Sequence, residues 1–512
     1  MSVRFVTPEE AAALVPDGAT VGLVGGGGGL MEPTLLHEHV EKRFLSSGRP
    51  HALTCVHALG IGDRESRGMN RFAHAGMVRR VIGGHWVWSP RMQRLADENK
   101  IEAYALPAGV IMQLMREVAA KRPGLITHVG LGTFVDPLLD GGRMNDAATE
   151  PLVERIVIDG KDYLRYLPIP VDIALLKGSI VDDDGNISLD EEPANLDVYA
   201  MAAAAHNSGG TVIFQVKRRV PAGSLPARSV RIPSAIVDAV VVDPDQRQSY
   251  DIVYDPSISG ESRYEAYHAA SPEFSVRLAI ARRAEAELRD GTVINFGFGI
   301  PDQVASIVAS EARQDRYYQT IEHGTYGGAL LTGELFGYAR NPSSMIDAPS
   351  QFDFYSGGGL DIAFLGFGQI DVEGNVNVSK LDGVTVGPGG FIDIAQNSRK
   401  VVFCGAFDAK GTEIKTGDGK LELVRPGEIR KFVESVDQIT FSGKQALLQG
   451  QEVLYVTERA VFRLSGQGLE LTETAPGVDL QKDVIEQMDF KPLMPTPPTV
   501  MDTRIFVDGD RG

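Results

Sequence analysis

Short apolar runs rich in β-branched residues alternate with helical patterns along most of the chain. Val21 to Val24, Asp172-Ile173-Ala174-Leu175-Leu176, Val212-Ile213-Phe214, Tyr317 to Ile321, Asp361-Ile362-Ala363-Phe364-Leu365 and Val401-Val402-Phe403 read as strands. A helix starts after Thr7, with Thr7 as N-cap, Pro8 at N1 and Glu10 at N3. Another follows Pro33, and Val276 to Leu288 carries Ala, Arg and Glu at helical spacing before Asp290-Gly291 closes it. Strands separated by helices predict an α/β protein with parallel sheets and helices on their faces.

The pattern repeats. Asp172-Ile173-Ala174-Leu175-Leu176 and its following turn, Asp184-Gly185-Asn186-Ile187, recur 189 positions later as Asp361-Ile362-Ala363-Phe364-Leu365 and Glu373-Gly374-Asn375-Val376. Val212-Ile213-Phe214 and Val401-Val402-Phe403 keep that displacement. Asp17-Gly18-Ala19-Thr20-Val21 and Asp290-Gly291-Thr292-Val293 are displaced by 273, so the first half holds about 84 more residues between these landmarks. Two similar open α/β domains from an internal duplication are expected, over residues 1–255 and 272–512. The boundary falls between Asp243 and Ser271, a polar stretch containing Asp255-Pro256 and Ser257-Ile258-Ser259-Gly260. The Pro-rich tail from Lys491 to Pro498 is expected to be extended, packed on the surface or mobile.

Composition narrows the classes. A chain of 512 residues exceeds one hydrophobic core, and 43% hydrophobic with 23% charged residues suits a globular protein. A formal net charge of −18 removes the global positive field that nucleic acid would need. An anionic ligand held by local N–H donors stays open. Cys55 and Cys404 form neither a disulfide framework nor a CxxC pair and are expected as buried thiols. No signal-peptide pattern precedes Thr7, and no apolar run is long enough to span a bilayer, so a cytoplasmic protein without membrane association is expected.

The candidate chemistry centres on Glu322. It ends the strand Tyr317 to Ile321, and His323-Gly324-Thr325-Tyr326-Gly327-Gly328 follows at once. Ligands of α/β proteins lie at the C-terminal edges of strands. Glycines admit close approach of backbone and ligand, and a carboxylate can attack an acyl carbon and hold a covalent intermediate. Three further stretches accompany it: Asn295-Phe296-Gly297-Phe298-Gly299-Ile300-Pro301, Val386-Gly387-Pro388-Gly389-Gly390-Phe391-Ile392-Asp393, and Gly83-Gly84-His85-Trp86 through Asn99 to Tyr104.

In this order the four stretches resemble family I coenzyme A transferases, in the single-chain form typified by acetate and propionate CoA-transferases. The resemblance implies two CoA-transferase-like domains facing each other. The acid binds on the N-terminal side, and the nucleophile and CoA belong to the C-terminal side. It implies ping-pong transfer of CoA between short-chain carboxylic acids through a glutamyl-CoA thioester on Glu322. Gly389 and Gly390 would supply oxyanion N–H groups. Gly297, Gly299, Gly324, Gly327 and Gly387 would let CoA pass the backbone. CoA is a substrate, with no tightly bound cofactor and no metal, and a homo-oligomer, dimer or tetramer, is implied. Gly26, Gly27 and Gly28, within the run Gly25 to Gly29, either contact the acid or form a tight strand-to-helix turn.

Two positions depart from the family. Its Pro-Gln-Gly turn reads Pro107-Ala108-Gly109, and Ala108 at this acid-side position has no side-chain donor; Gln113 is the nearest substitute in sequence. His323 stands where the family has a small or amide residue, as an adjacent polar group or one that tunes Glu322. Both keep acyl-CoA hydrolysis as an alternative, beside a non-catalytic ligand-binding module of the same fold class. His37-Glu38-His39 lacks the second ligand of a zinc helix, and no P-loop or dinucleotide fingerprint is complete. His85 with Trp86 and Trp88 reads as local packing.

Overall fold

A computed structural model describes residues 3–264 and 271–508. The first sheet is built on five parallel strands, Thr20–Leu23 (β1), Leu53–His57 (β2), Ile173–Asp182 (β3), Thr211–Val220 (β4) and Ala239–Val242 (β5), in the order β2-β1-β3-β4-β5. The second has Val293–Phe296 (β6), Tyr318–Ile321 (β7), Ile362–Leu365 (β8), Lys400–Cys404 (β9) and Glu452–Val456 (β10), in the order β7-β6-β8-β9-β10. Each sheet continues past these strands at both edges.

The sequence repeat reappears as strand register. Val21 pairs Ile173 and Ala174 pairs Val212 in the first sheet. Ile294 pairs Ile362 and Ala363 pairs Val401 in the second, at the same two displacements. The extra residues of the first half form the added strands Val78–Gly83 and Glu102–Ala105, a helix, and the three-stranded sheet Leu125–Thr127, Lys161–Tyr166 and Val153–Ile158. The expected boundary stretch carries no helix or strand where it is described; residues 265–270 lie outside the described residues.

The helices that matter for the site are Thr34–Ser47 (α1), Ala108–Ala119 (α2), Ile300–Ser310 (α3), Ala348–Ser356 (α4) and Phe391–Asn397 (α5). The central strand β8 of the second sheet is apolar throughout because both its faces are covered. Val401 and Phe403 point to one apolar cluster, Val402 and Cys404 to the other. The first cluster crosses the seam between the halves, from Val21 and Leu175 through Ile111 and Met115 of α2 to Phe352 of α4 and Phe391 of α5. Thr7 and Glu10 form the expected capping box. Leu493 bonds along Leu469 and Leu471, so the tail packs on the last strands. Cys55 and Cys404 are buried free thiols. No helix among the described residues is long and apolar enough to cross a membrane.

Phe403 tests this packing. Its ring lies 5.0 Å from Phe441, 5.4 Å from Tyr455 and 5.8 Å from Phe391. Phe403→Ala is expected to destabilise the chain by about 3–5 kcal/mol, read as a lower midpoint in urea followed by circular dichroism. A loss under about 1 kcal/mol would mean that the rings do not form a close-packed core there.

Candidate active site

β7 runs parallel to β6 and then reverses at Glu322-His323-Gly324 into Thr325–Tyr326, which pairs antiparallel with Ile321 and Thr320. The reversal needs Gly324: its φ is +97°, and a Cβ would stand 2.1 Å from Ile346 O. Glu322 thus projects from the C-terminal end of β7. The strand end is fixed from behind. Tyr355 of α4 donates to Thr320 Oγ1 at 2.7 Å, and Asn295 Nδ2 donates to Thr320 O at 3.2 Å.

The opposite wall is the loop before α5, and first-half backbone holds it. Trp86 N donates to Val386 O at 2.9 Å, Gly389 N to Gly84 O at 2.7 Å, and Ala108 N to Gly389 O at 2.8 Å. Gly109 N donates to Asp393 Oδ2 at 3.1 Å. These bonds press Gly390 against the carboxylate: a Cβ there would lie 1.8 Å from Glu322 Oε2. Phe352 fills the remaining corner, 2.4 Å from where a Cβ on Gly109 would be and 3.3 Å from one on Gly390.

Glu322 keeps 19% of its side chain exposed. That opening suits a reactant, while the surrounding protein pushes its carboxyl up to about 7. Asp393 is fully buried at the N-terminus of α2. Burial raises its carboxyl well above the usual range, against the Gly109 N–H, which favours the anion. Its Oδ1 has no hydrogen-bond partner among the described residues. His85 approaches from the first half, its Cδ2 3.7 Å from a Cβ on Gly389, and burial holds it down to about 4.

The structure brings Glu322, Gly389, Gly390 and Ala108 together. Several of the other glycines use their N–H groups within the protein. Gly389 donates to Gly84 O, so Gly390, whose N–H has no acceptor among the described residues, is the open donor of the pair. Gly387 donates to Ser379 O, Gly324 to Ile321 O, Gly327 to Gln319 O and Gly297 to Phe364 O. Gly299 caps α3 by donating to Asp302. Gly26 donates to Leu30 O and Gly28 to Gly62 O, while a Cβ on Gly27 would meet Trp88 at 2.1 Å. The run makes a tight turn under Trp88, with the Gly26 and Gly28 N–H groups bonded inside it. Gln113 is no substitute for the missing glutamine, since its Nε2 donates to Asp353 at 2.9 Å.

Sequence reasoning passed over Asp393 and Phe352. Asp393 stood inside a quoted motif without a role. Phe352 lies in none, and only its packing reveals it. At the mouth, Arg64 of the first half stacks 4.2 Å from Trp88 and 5.7 Å from Phe298, and pairs with Glu334 at 2.9 Å. A separate cavity of about 280 Å³, lined by Glu32, Arg67, Arg71, Arg247 and Tyr250, does not include Glu322. No cluster suited to a metal ion occurs among the described residues.

Known proteins share this architecture. The family description Coenzyme A transferase matches residues 5–243. Acetate CoA-transferase YdiF of Escherichia coli strain K12 is 42% identical over 511 residues, covering 100% of this chain and 96% of that enzyme. Caffeate CoA-transferase of Acetobacterium woodii is 43% identical over 512 residues, covering 98% and 97%. The crystal structure of the YdiF acyl-CoA transferase of E. coli O157:H7, a thioester complex with CoA, superposes with a TM-score of 0.94 at 41% identity, over 100% of this chain and 97% of that one.

The raised Glu322 carboxyl has a signature in stability. Below its ordinary value of 4.5 the group is protonated in folded and unfolded chains alike. As pH rises from there to about 7, the unfolded chain ionises while the folded one holds its proton, so stability falls through this window. The loss is about 3 kcal/mol at most. Glu322→Gln removes it, and should melt higher than the parent at about pH 8 but not at about pH 4. Calorimetry at both pH values checks this; an equal difference at both would overturn burial as the cause.

Proposed function

The chain belongs to the coenzyme A transferase family, and on that premise we propose that Glu322 is its nucleophile and the Gly390 N–H its oxyanion donor. It is an enzyme of the CoA-transferase type. The observation that carries the reading is the approach of Gly390 to Glu322 Oε2, made by a loop that the other half of the chain holds in place. The oxyanion formed on an acyl carbon that Glu322 attacks would develop beside the Gly390 N–H.

The steps follow from that placement. The Glu322 carboxylate attacks the thioester carbon, and the oxyanion forms beside Gly390. CoA leaves as thiolate, giving a mixed anhydride of Glu322 and the donor acid. The thiolate attacks the Glu322 carbonyl, the donor acid departs as carboxylate, and CoA remains as a thioester on Glu322. An acceptor carboxylate reverses the sequence, so the kinetics are ping-pong. No proton need move in the transfer.

We assign the acid to the side formed by residues 1–255, and the nucleophile and CoA to 272–512. Short-chain acids such as acetate and propionate are proposed as substrates. The acetate and caffeate enzymes are nearly equally similar to this chain, so identity alone does not choose between small and aromatic acids. A homo-oligomer is part of the proposal.

Acyl-CoA without acceptor is expected to leave CoA on Glu322, located by peptide mass mapping. Glu322→Gln should neither trap CoA nor exchange it; label on another residue, or full exchange by this variant, would reject the nucleophile. Incubation with acetate, propionate and an aromatic acid, with thioesters and free thiol measured, identifies the acceptor or reveals hydrolysis.

Gly390→Ala gives a second test. Its φ of −83° suits any residue, so only the added methyl acts. Exchange should fall by about 10²-fold or more as the carboxylate is displaced, with the melting temperature nearly kept. A fall of less than about threefold would mean that Glu322 does not react from this close contact with Gly390.

A further inference from the structure

His323 is oriented by a segment that belongs to the seam. Its Nδ1 lies 3.0 Å from Gly337 O. A carbonyl only accepts, so Nδ1 carries the proton and Nε2 the lone pair. The ring fits because Gly337 has no side chain: a Cβ would stand 2.2 Å from His323 Cε1. Nε2 is thereby turned towards Glu322 and lies 3.9 Å from Oε1. That exceeds a hydrogen bond, so the ring occupies the place of a donor without being one. Burial keeps the imidazole neutral, down to about 4.

The holding segment is itself anchored in the first half. Glu334 O would stand 2.3 Å from a Cβ on Gly28, and Glu334 pairs with Arg64 at 2.9 Å. Tyr338, next to Gly337, is fully buried, with Glu192 and Glu32 of the first half acting on its hydroxyl. The other titratable groups facing Glu322 add no donor to Oε1. Tyr355 on α4 gives its hydroxyl proton to Thr320. Asp393 on α5 interacts with Glu322 through its charge and lies on the Gly109 side. His85 lies by Gly389, across the loop.

We propose that His323 is a positioning residue that keeps hydrogen-bond donors away from Glu322 Oε1, so that the carboxylate stays basic and unsolvated until acyl-CoA arrives. The proposal rests on Glu322 being the nucleophile. A donor at this place would favour the anion and lower both its basicity and its reactivity.

The test is the rate of CoA capture on the protein from acetyl-CoA across pH, in wild type, His323→Asn and His323→Leu, with the modified residue mapped in each. Capture needs ionised Glu322, so the wild-type rate climbs through about pH 7. The Asn amide supplies a donor; its ascending limb should move about one pH unit towards acid, with a lower plateau. Leu supplies none, and its limb should stay within a few tenths of a unit of wild type. His323→Gln brings the donor by a second route should the Asn variant not fold. Limbs that coincide in the Asn, Gln and wild-type enzymes, with Glu322 still labelled, would overturn the role of His323 alone. Absence of label from Glu322 in wild type would overturn the nucleophile and this proposal with it.

Discussion

The backbone bonds across the seam are the constraint on which the rest depends. Gly84, Trp86 and Ala108 belong to one half and the Val386 to Gly390 loop to the other, yet main-chain groups join them directly. Each such bond contributes only about 1 kcal/mol net. Their geometry matters more than their sum, because it fixes the distance between Gly390 and Glu322. Glu322 and Gly390 both belong to the second half, but first-half backbone sets their spacing. The shared apolar cluster beneath, running through Phe352 and Phe391, keeps the seam dry and makes those bonds persist.

The same closure sets the chemistry of the carboxylate. A solvated glutamate is a weak nucleophile because water and counter-ions satisfy it. Here Phe352, Gly390 and His323 replace most of that shell, and the carboxyl rises in consequence. The fold tolerates this stress because the strand end behind Glu322 is braced by Tyr355 and Asn295, both buried. Reactivity and local instability are therefore one property of the site.

The sequence exposed what is local or periodic. Displacements of 189 and 273 positions became matching strand registers, and a carboxylate after an apolar run became a side chain at a strand's end. What it hid is long-range. No local pattern tells whether a glycine N–H is free: Gly297 donates to Phe364 O, Gly28 to Gly62 O and Gly389 to Gly84 O, all distant in sequence. Gln113 looked available from its place in the chain, but Asp353 from the other half takes its amide. Phe352 is an ordinary helix residue until α4 is laid against Gly109 and Gly390. The four motifs lie around Glu322 in the fold, while which groups touch it required the packing.

The matched registers have a consequence for how the two halves differ. With Thr20 opposite Thr54 and Val293 opposite Tyr318, the strand ends superpose so that Ala58 occupies the position of Glu322. Ala58 is not idle: its carbonyl would stand 1.9 Å from a Cβ on Gly84, the residue whose own carbonyl receives Gly389. The strand end without a carboxylate thus braces the one that has it.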